Sequence, residues 1–168
     1  MLISEDYAAQ NKALHESNSS YGTSGRKYAE FVGSLMDALK SSDVLDYGCG
    51  KGTLGAALGR EIKEYDPAIP GKDERPVAAD IVACTDVLEH IEPDCIDDVL
   101  DDLARVTKSV LFVTVCVVPA KKKLADGRNA HILLKPFDWW AGKLTERFEW
   151  RMFQNEGHTF LAVLEPKR

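Results

Sequence analysis

No apolar run in this 168-residue sequence approaches the ~20 residues of a membrane-spanning helix. A membrane role is therefore not expected. Cysteine is sparse: Cys49, Cys84, Cys95 and Cys116 are scattered, with no C-x-x-C pair. That argues against a disulfide framework or a zinc site, and for a reducing compartment. The first residues, MLISEDYAAQNK, lack the charged-then-apolar layout of a secretory leader, so a cytoplasmic location is expected. Positive charge is also short, with 21 Lys and Arg against 27 Asp and Glu and a net charge of −6. This disfavours a broad grip on nucleic acid, which depends on neutralising phosphates. The one basic run, Lys121–Lys123, reads as a solvated loop. Repeats, low-complexity segments and linkers are absent, and the length fits one domain, 1–168.

What the sequence does contain centres on VLDYGCGKGTL, residues 44–54. Val44 and Leu45 read as the end of a buried strand with Asp46 at its tip. Gly48, Gly50 and Gly52 follow at every second position, and a helix can run over Thr53–Ile62. Glycines so spaced permit a tight turn and a close backbone approach to a ligand. The dinucleotide fingerprint G-x-G-x-x-G fails at Thr53, and the P-loop fails because Lys51 is followed by Gly52.

Periodicity places the other elements. Helices are expected over Ser4–Ser17 with Ser4 as N-cap, and over Gly25–Lys40. Two more are expected over Asp94–Thr107, with Asp97, Asp98, Asp101 and Asp102 outward, and over Asp138–Leu144. Strands are expected at Ile62–Asp66, Ile81–Thr85 and Val110–Val118, the last an apolar run suited to a strand covered on both faces. Phe148–Phe153 and Thr159–Leu164 form a closing antiparallel pair. The fold class is α/β, a doubly wound, mostly parallel sheet with an antiparallel C-terminal hairpin. Asp66 ends the second strand twenty residues after Asp46. A carboxylate there suits a ribose diol, because it accepts from both hydroxyls. Residues 67–80, PAIPGKDERPVAAD, hold three prolines and a glycine, which excludes helix and central strand.

The run D-x-G-x-G-x-G after an apolar strand resembles the first motif of class I S-adenosylmethionine-dependent methyltransferases. DIVACTDVLEHIEP, residues 80–93, resembles the segment after the fourth strand of quinone-biosynthesis-type members. With SYGTSG, EYDPAIPGKD and DGRNAHILLKPFDWW, most of the chain is similar to small methyltransferase-like proteins of bacteria and their phages. The resemblance implies a Rossmann-like fold whose third strand is missing or vestigial here. It implies S-adenosyl-L-methionine as cofactor, held by Tyr21, Asp46, Gly48, Cys49, Gly50, Gly52, Asp66 and Asp86. It also implies that residues 1–25 form a lid-like segment over a core of 26–168, with Tyr21 covering the cofactor.

Histidine is rare, with four in the chain. His90 and His131 fall near the expected site, and with Glu89 they are the candidate catalytic residues facing the acceptor. His15 and His158 read as surface or turn residues. One of Trp139 and Trp140 is expected in the core, the other against the acceptor with Arg128 and Asn129. Asp86, Glu89 and His90 stand at positions 0, 3 and 4, so one helical turn would align them. With His131 they would make a divalent-metal set similar to that of small-RNA 3′-end ribose methyltransferases. The compact length leaves no separate recognition domain, so a small acceptor, or one delivered by a partner, is expected. An RNA 3′-end 2′-O-methyltransferase and a catalytically degenerate cofactor-binding scaffold are the alternatives.

Overall fold

The computed structural model describes residues 1–168. Helix α1 spans Glu5–Ser17, and the Ser4 side chain caps it by accepting from the Tyr7 N–H. Ser24–Tyr28 is a 3-10 turn, and α2 follows over Ala29–Leu39. The remaining elements are β1 (Val44–Tyr47), α3 (Thr53–Leu58), β2 (Lys63–Tyr65), β3 (Ala79–Thr85), α4 (Ile96–Val106), β4 (Thr107–Cys116), α5 (Phe137–Thr145), β5 (Phe148–Asn155) and β6 (Thr159–Pro166).

The six strands form one sheet in the order β2-β1-β3-β4-β6-β5. The first four are parallel, and β6 runs antiparallel to β4 and to β5. Residues 66–78 contribute no strand, so β2 is an edge and the third strand is missing, as the prolines require. Two sequence expectations are too long. The helix expected from Gly25 starts at Ala29, because its first turn is 3-10. The helix expected to reach Ile62 stops at Leu58, where Gly59 takes a left-handed conformation (φ 65°).

Strand period two divides the core. Val82, Cys84, Leu111, Val113, Val115, Phe160, Ala162 and Leu164 face α4 and α5, where Leu100, Leu103, Trp140 and Leu144 are buried. Ile81, Ala83, Val110, Phe112, Leu161 and Val163 face the other way, toward Val32, Met36 and Leu54. Asp102 corrects the outward reading of the α4 acids. It is 5% exposed and accepts from the Tyr47 hydroxyl at 3.1 Å and Arg105 Nε at 2.8 Å. Trp140 is fully buried, so Trp140→Ala should cost about 3–5 kcal/mol in chemical denaturation.

Candidate active site

All four parallel strands end at one edge, and the strand order reverses across β1, between β2 and β3. Such a switch point opens a crevice. Here it holds a cavity of about 390 Å³. Asp46, Tyr47, Gly48, Cys49, Gly50, Asp66, Asp86, Glu89, His90 and His131 all line it.

The glycine loop forms its floor. Gly48, Gly50 and Gly52 have φ of 78°, 51° and 68°, the left-handed region that favours glycine. Their missing side chains make room for the protein itself. A Cβ on Gly50 would lie 2.6 Å from the Gly22 carbonyl oxygen, and one on Gly48 would strike Val87. Gly52 does not line the cavity and turns the chain into α3.

Every loop amide already has a partner. Gly48 and Cys49 donate to the Tyr65 carbonyl at 2.7 and 3.0 Å, and Lys51 donates to the Gly22 carbonyl at 2.9 Å. Gly52 donates to the Cys49 carbonyl, and Gly50 to Asp66 Oδ2 at 3.0 Å. A loop that binds phosphate presents free amides; this one presents none. The Cys49 thiol is buried against the Gly50 carbonyl and pushed up in pKa by burial.

Carboxylates supply the cavity's charge. Asp46 is 2% exposed, its Oδ2 has no partner, and burial, with Glu64 adding, raises its pKa to about 7. Asp66 is 7% exposed and accepts from the Gly50 and Ala68 amides at 3.0 Å each. Each oxygen keeps a lone pair for a hydroxyl. Asp86 has φ 54°, and its Oδ1 accepts from the Thr114 hydroxyl at 3.1 Å.

Glu89 and His90 lie in a 3-10 turn, Leu88–His90, so Asp86, Glu89 and His90 do not share one α-helical turn. Glu89 is 0% exposed. Its Oε1 accepts from the Cys116 amide at 2.8 Å, its Oε2 has no partner, and burial raises its pKa to about 8. His90 Nδ1 is 2.7 Å from the Ala130 carbonyl, and His131 Nδ1 is 2.7 Å from the Val118 carbonyl. A carbonyl only accepts, so in both rings Nδ1 carries a proton and donates it there, leaving Nε2 as the atom that can face the cavity. Burial lowers the His90 pKa to about 4. The four-residue metal set does not assemble. Donor atoms of Glu89 and His131 converge instead with the sulfur of Cys116, which sequence reasoning missed. Cys116 closes the apolar run of β4 and carried no spacing signal.

The first two dozen residues roof the cavity. Tyr7, Asn11, His15 and Tyr21 line it. The Tyr7 hydroxyl donates to the His90 carbonyl at 2.6 Å, and Ser4 donates twice to Glu92. Tyr21 donates to Asn11 Oδ1 at 3.0 Å and lies between the rings of His15 and His90. His15 is thus a cavity residue, contrary to its surface reading, while His158 sits in the exposed β5–β6 turn. Trp139, Arg128 and Asn129 do not line the cavity. Trp139 stacks under Lys135 and Lys143, and Arg128 lies over the Tyr7 ring.

No protein-family model and no curated protein matches the chain in sequence. Solved structures do match in fold. The 1,6-didemethyltoxoflavin-N1-methyltransferase of Burkholderia thailandensis, solved with 1,6-didemethyltoxoflavin and S-adenosylhomocysteine, is similar at TM-score 0.74 and 15% identity, over 100% of this chain and 92% of that one. The magnesium protoporphyrin IX methyltransferase of Synechocystis, solved with S-adenosylhomocysteine, matches at TM-score 0.57 and 15% identity, over 84% and 83%. The methyltransferase domain of bacterial CtHen1 matches at TM-score 0.57 and 18% identity, over 82% and 96%. The fold is therefore the Rossmann-like fold of class I methyltransferases.

Asp46 sets a pH dependence on the ligand-free protein. Its raised pKa means that the folded state favours the neutral acid, so stability present below pH ~4 is lost as pH rises toward 7. Asp46→Asn should match the wild type near pH 4 and exceed it by up to about 4 kcal/mol above pH 7, read from urea midpoints across that range.

Proposed function

We propose that this chain is an S-adenosylmethionine-dependent methyltransferase acting on a small acceptor. One observation carries the reading most: a glycine loop with every amide occupied, ringed by buried carboxylates, two of which have an unpartnered oxygen. Such a floor repels phosphate and suits a cationic nucleoside. The fit rests on Asp46 Oδ2, a buried acceptor without a donor; the space beside Gly48 and Gly50 is taken by Val87 and Gly22.

When bound, the cofactor supplies an electrophilic methyl group on a sulfonium. The protein's own groups do the rest. Asp66 accepts the ribose hydroxyls with its remaining lone pairs, held in place by Gly50 and Ala68. Asp46 provides a negative charge that a cationic ligand stabilises. Gly48, Cys49 and Gly50 shape the floor, and Asp86, fixed by Thr114, closes the side nearest β3. Residues 1–25 act as the lid, with Tyr21 over the pocket, and exclude water. On the acceptor side, His131 presents its bare Nε2 to take the nucleophile's proton, with Glu89 and His90 beside it. A cavity roofed by α1 favours a small molecule over an RNA end, as does the acidic charge.

Calorimetry with S-adenosylmethionine and S-adenosylhomocysteine tests the cofactor. Saturable 1:1 binding is expected, and no heat at millimolar ligand would remove the reading. Asp66→Ala should weaken binding by about tenfold or more; an unchanged affinity would end its ribose role. Once a radiolabel screen supplies an acceptor, His131→Ala should lower turnover by about 10²–10⁴-fold with cofactor affinity unchanged.

A further inference from the structure

We propose that Glu89, Cys116 and His131 form a binding site for a single divalent transition-metal ion of the zinc type. One donor atom from each lies within 4.8 Å of the other two. In a tetrahedral zinc site such atoms stand about 3.5 Å apart, so binding draws the three donors together by up to about 1 Å. Glu89 and His131 are each held by a hydrogen bond to the backbone, and Cys116 only by a weak contact. Glu89 Oε1 is held by the Cys116 amide, while its buried Oε2 has no partner. His131 is oriented through Nδ1 by the Val118 carbonyl, the outer-sphere bond that a ligating imidazole needs. The Cys116 sulfur has only a 3.6 Å contact to the Val118 carbonyl.

The scaffold behind them is rigid. Asn129 Oδ1 accepts from the Ala120 and His131 amides at 2.9 Å each, and its amide group donates back to the Ala120 carbonyl. The Leu133 amide donates to the Glu89 carbonyl at 3.0 Å, tying the histidine loop to the 3-10 turn. The carboxylate and the thiolate carry two negative charges and the imidazole none, so a divalent ion leaves the site neutral. Sulfur and nitrogen donors select zinc or cobalt over magnesium, which requires oxygen. Binding releases to solvent the Cys116 thiol proton and the proton that burial holds on the Glu89 carboxyl. All three residues line the cavity, so the fourth coordination position opens into it. If the methyltransferase reading holds, that position receives an acceptor hydroxyl or thiol; with the ion bound, His131 is a ligand and no longer the base, and the ion itself lowers the pKa of the nucleophile, whose proton leaves to solvent.

The test is a cobalt(II) titration of the full chain after chelator treatment. One equivalent should bind, with the visible bands of a tetrahedral ion and a thiolate-to-cobalt band in the near ultraviolet. Cys116→Ser should abolish the near-ultraviolet band, and His131→Ala and Glu89→Gln should weaken binding at least about tenfold. Absence of both bands overturns the site. So does a thiolate band that survives in Cys116→Ser, or an affinity indifferent to His131→Ala. Far-ultraviolet circular dichroism checks each variant; if Glu89→Gln misfolds, the two half-buried positions decide. Cofactor calorimetry on the metal-free chain separates the hypotheses, since binding there without any cobalt site sinks this inference alone.

Discussion

Five consecutive amides, from Gly48 to Gly52, must find acceptors where a strand becomes a helix at the bottom of a pocket. The protein supplies them from three directions: the end of β2, the loop itself, and the Gly22 carbonyl of the N-terminal segment. That requirement fixes much else. It holds Asp66 beneath Gly50 and draws the segment before α2 onto the loop. It also leaves no room for side chains at Gly48 and Gly50. The cavity is what remains between this sealed floor and the roof of α1.

Electrostatics follow from the same geometry. With the amides spent, the pocket has little positive backbone potential, and Asp46 and Glu89 are buried beneath it with one unpartnered oxygen each. Both are held toward the neutral acid by burial. A ligand bearing positive charge relieves that penalty, whereas a phosphate meets it directly. The sheet contributes by geometry: parallel strands bring Asp46, Asp66 and Asp86 to one edge although they are far apart in sequence.

Wherever local pattern and tertiary demand agree, the sequence is readable. The apolar β4 run, the α4 stripe, the closing hairpin and the proline-blocked third strand all follow from periodicity and backbone chemistry. That Asp46, Asp66 and the first two loop glycines come together at the cavity was legible because the crevice of an open parallel sheet lies outside its strand C-termini. Failures share a cause, in that side-chain direction depends on partners distant in sequence. Asp102 turns inward because Tyr47 waits for it, 55 residues away. His15 faces the cavity only because Tyr21 folds back on it. Cys116 gains its neighbours from an unrelated loop, and no C-x-x-C spacing announces a site built by topology.

Loss of the third strand also bears on solubility. A sheet normally risks growing where its outermost strand is bare. Here that margin is only three residues long, Lys63–Tyr65, with Lys63 and Glu64 on it and Pro67, Pro70 and Pro76 in the chain that follows. An incoming peptide finds too short a ladder to zip onto and prolines beyond it that cannot donate. The same economy that trims the fold thereby closes this margin to pairing and leaves the eight-residue β5 as the one long bare edge of the sheet.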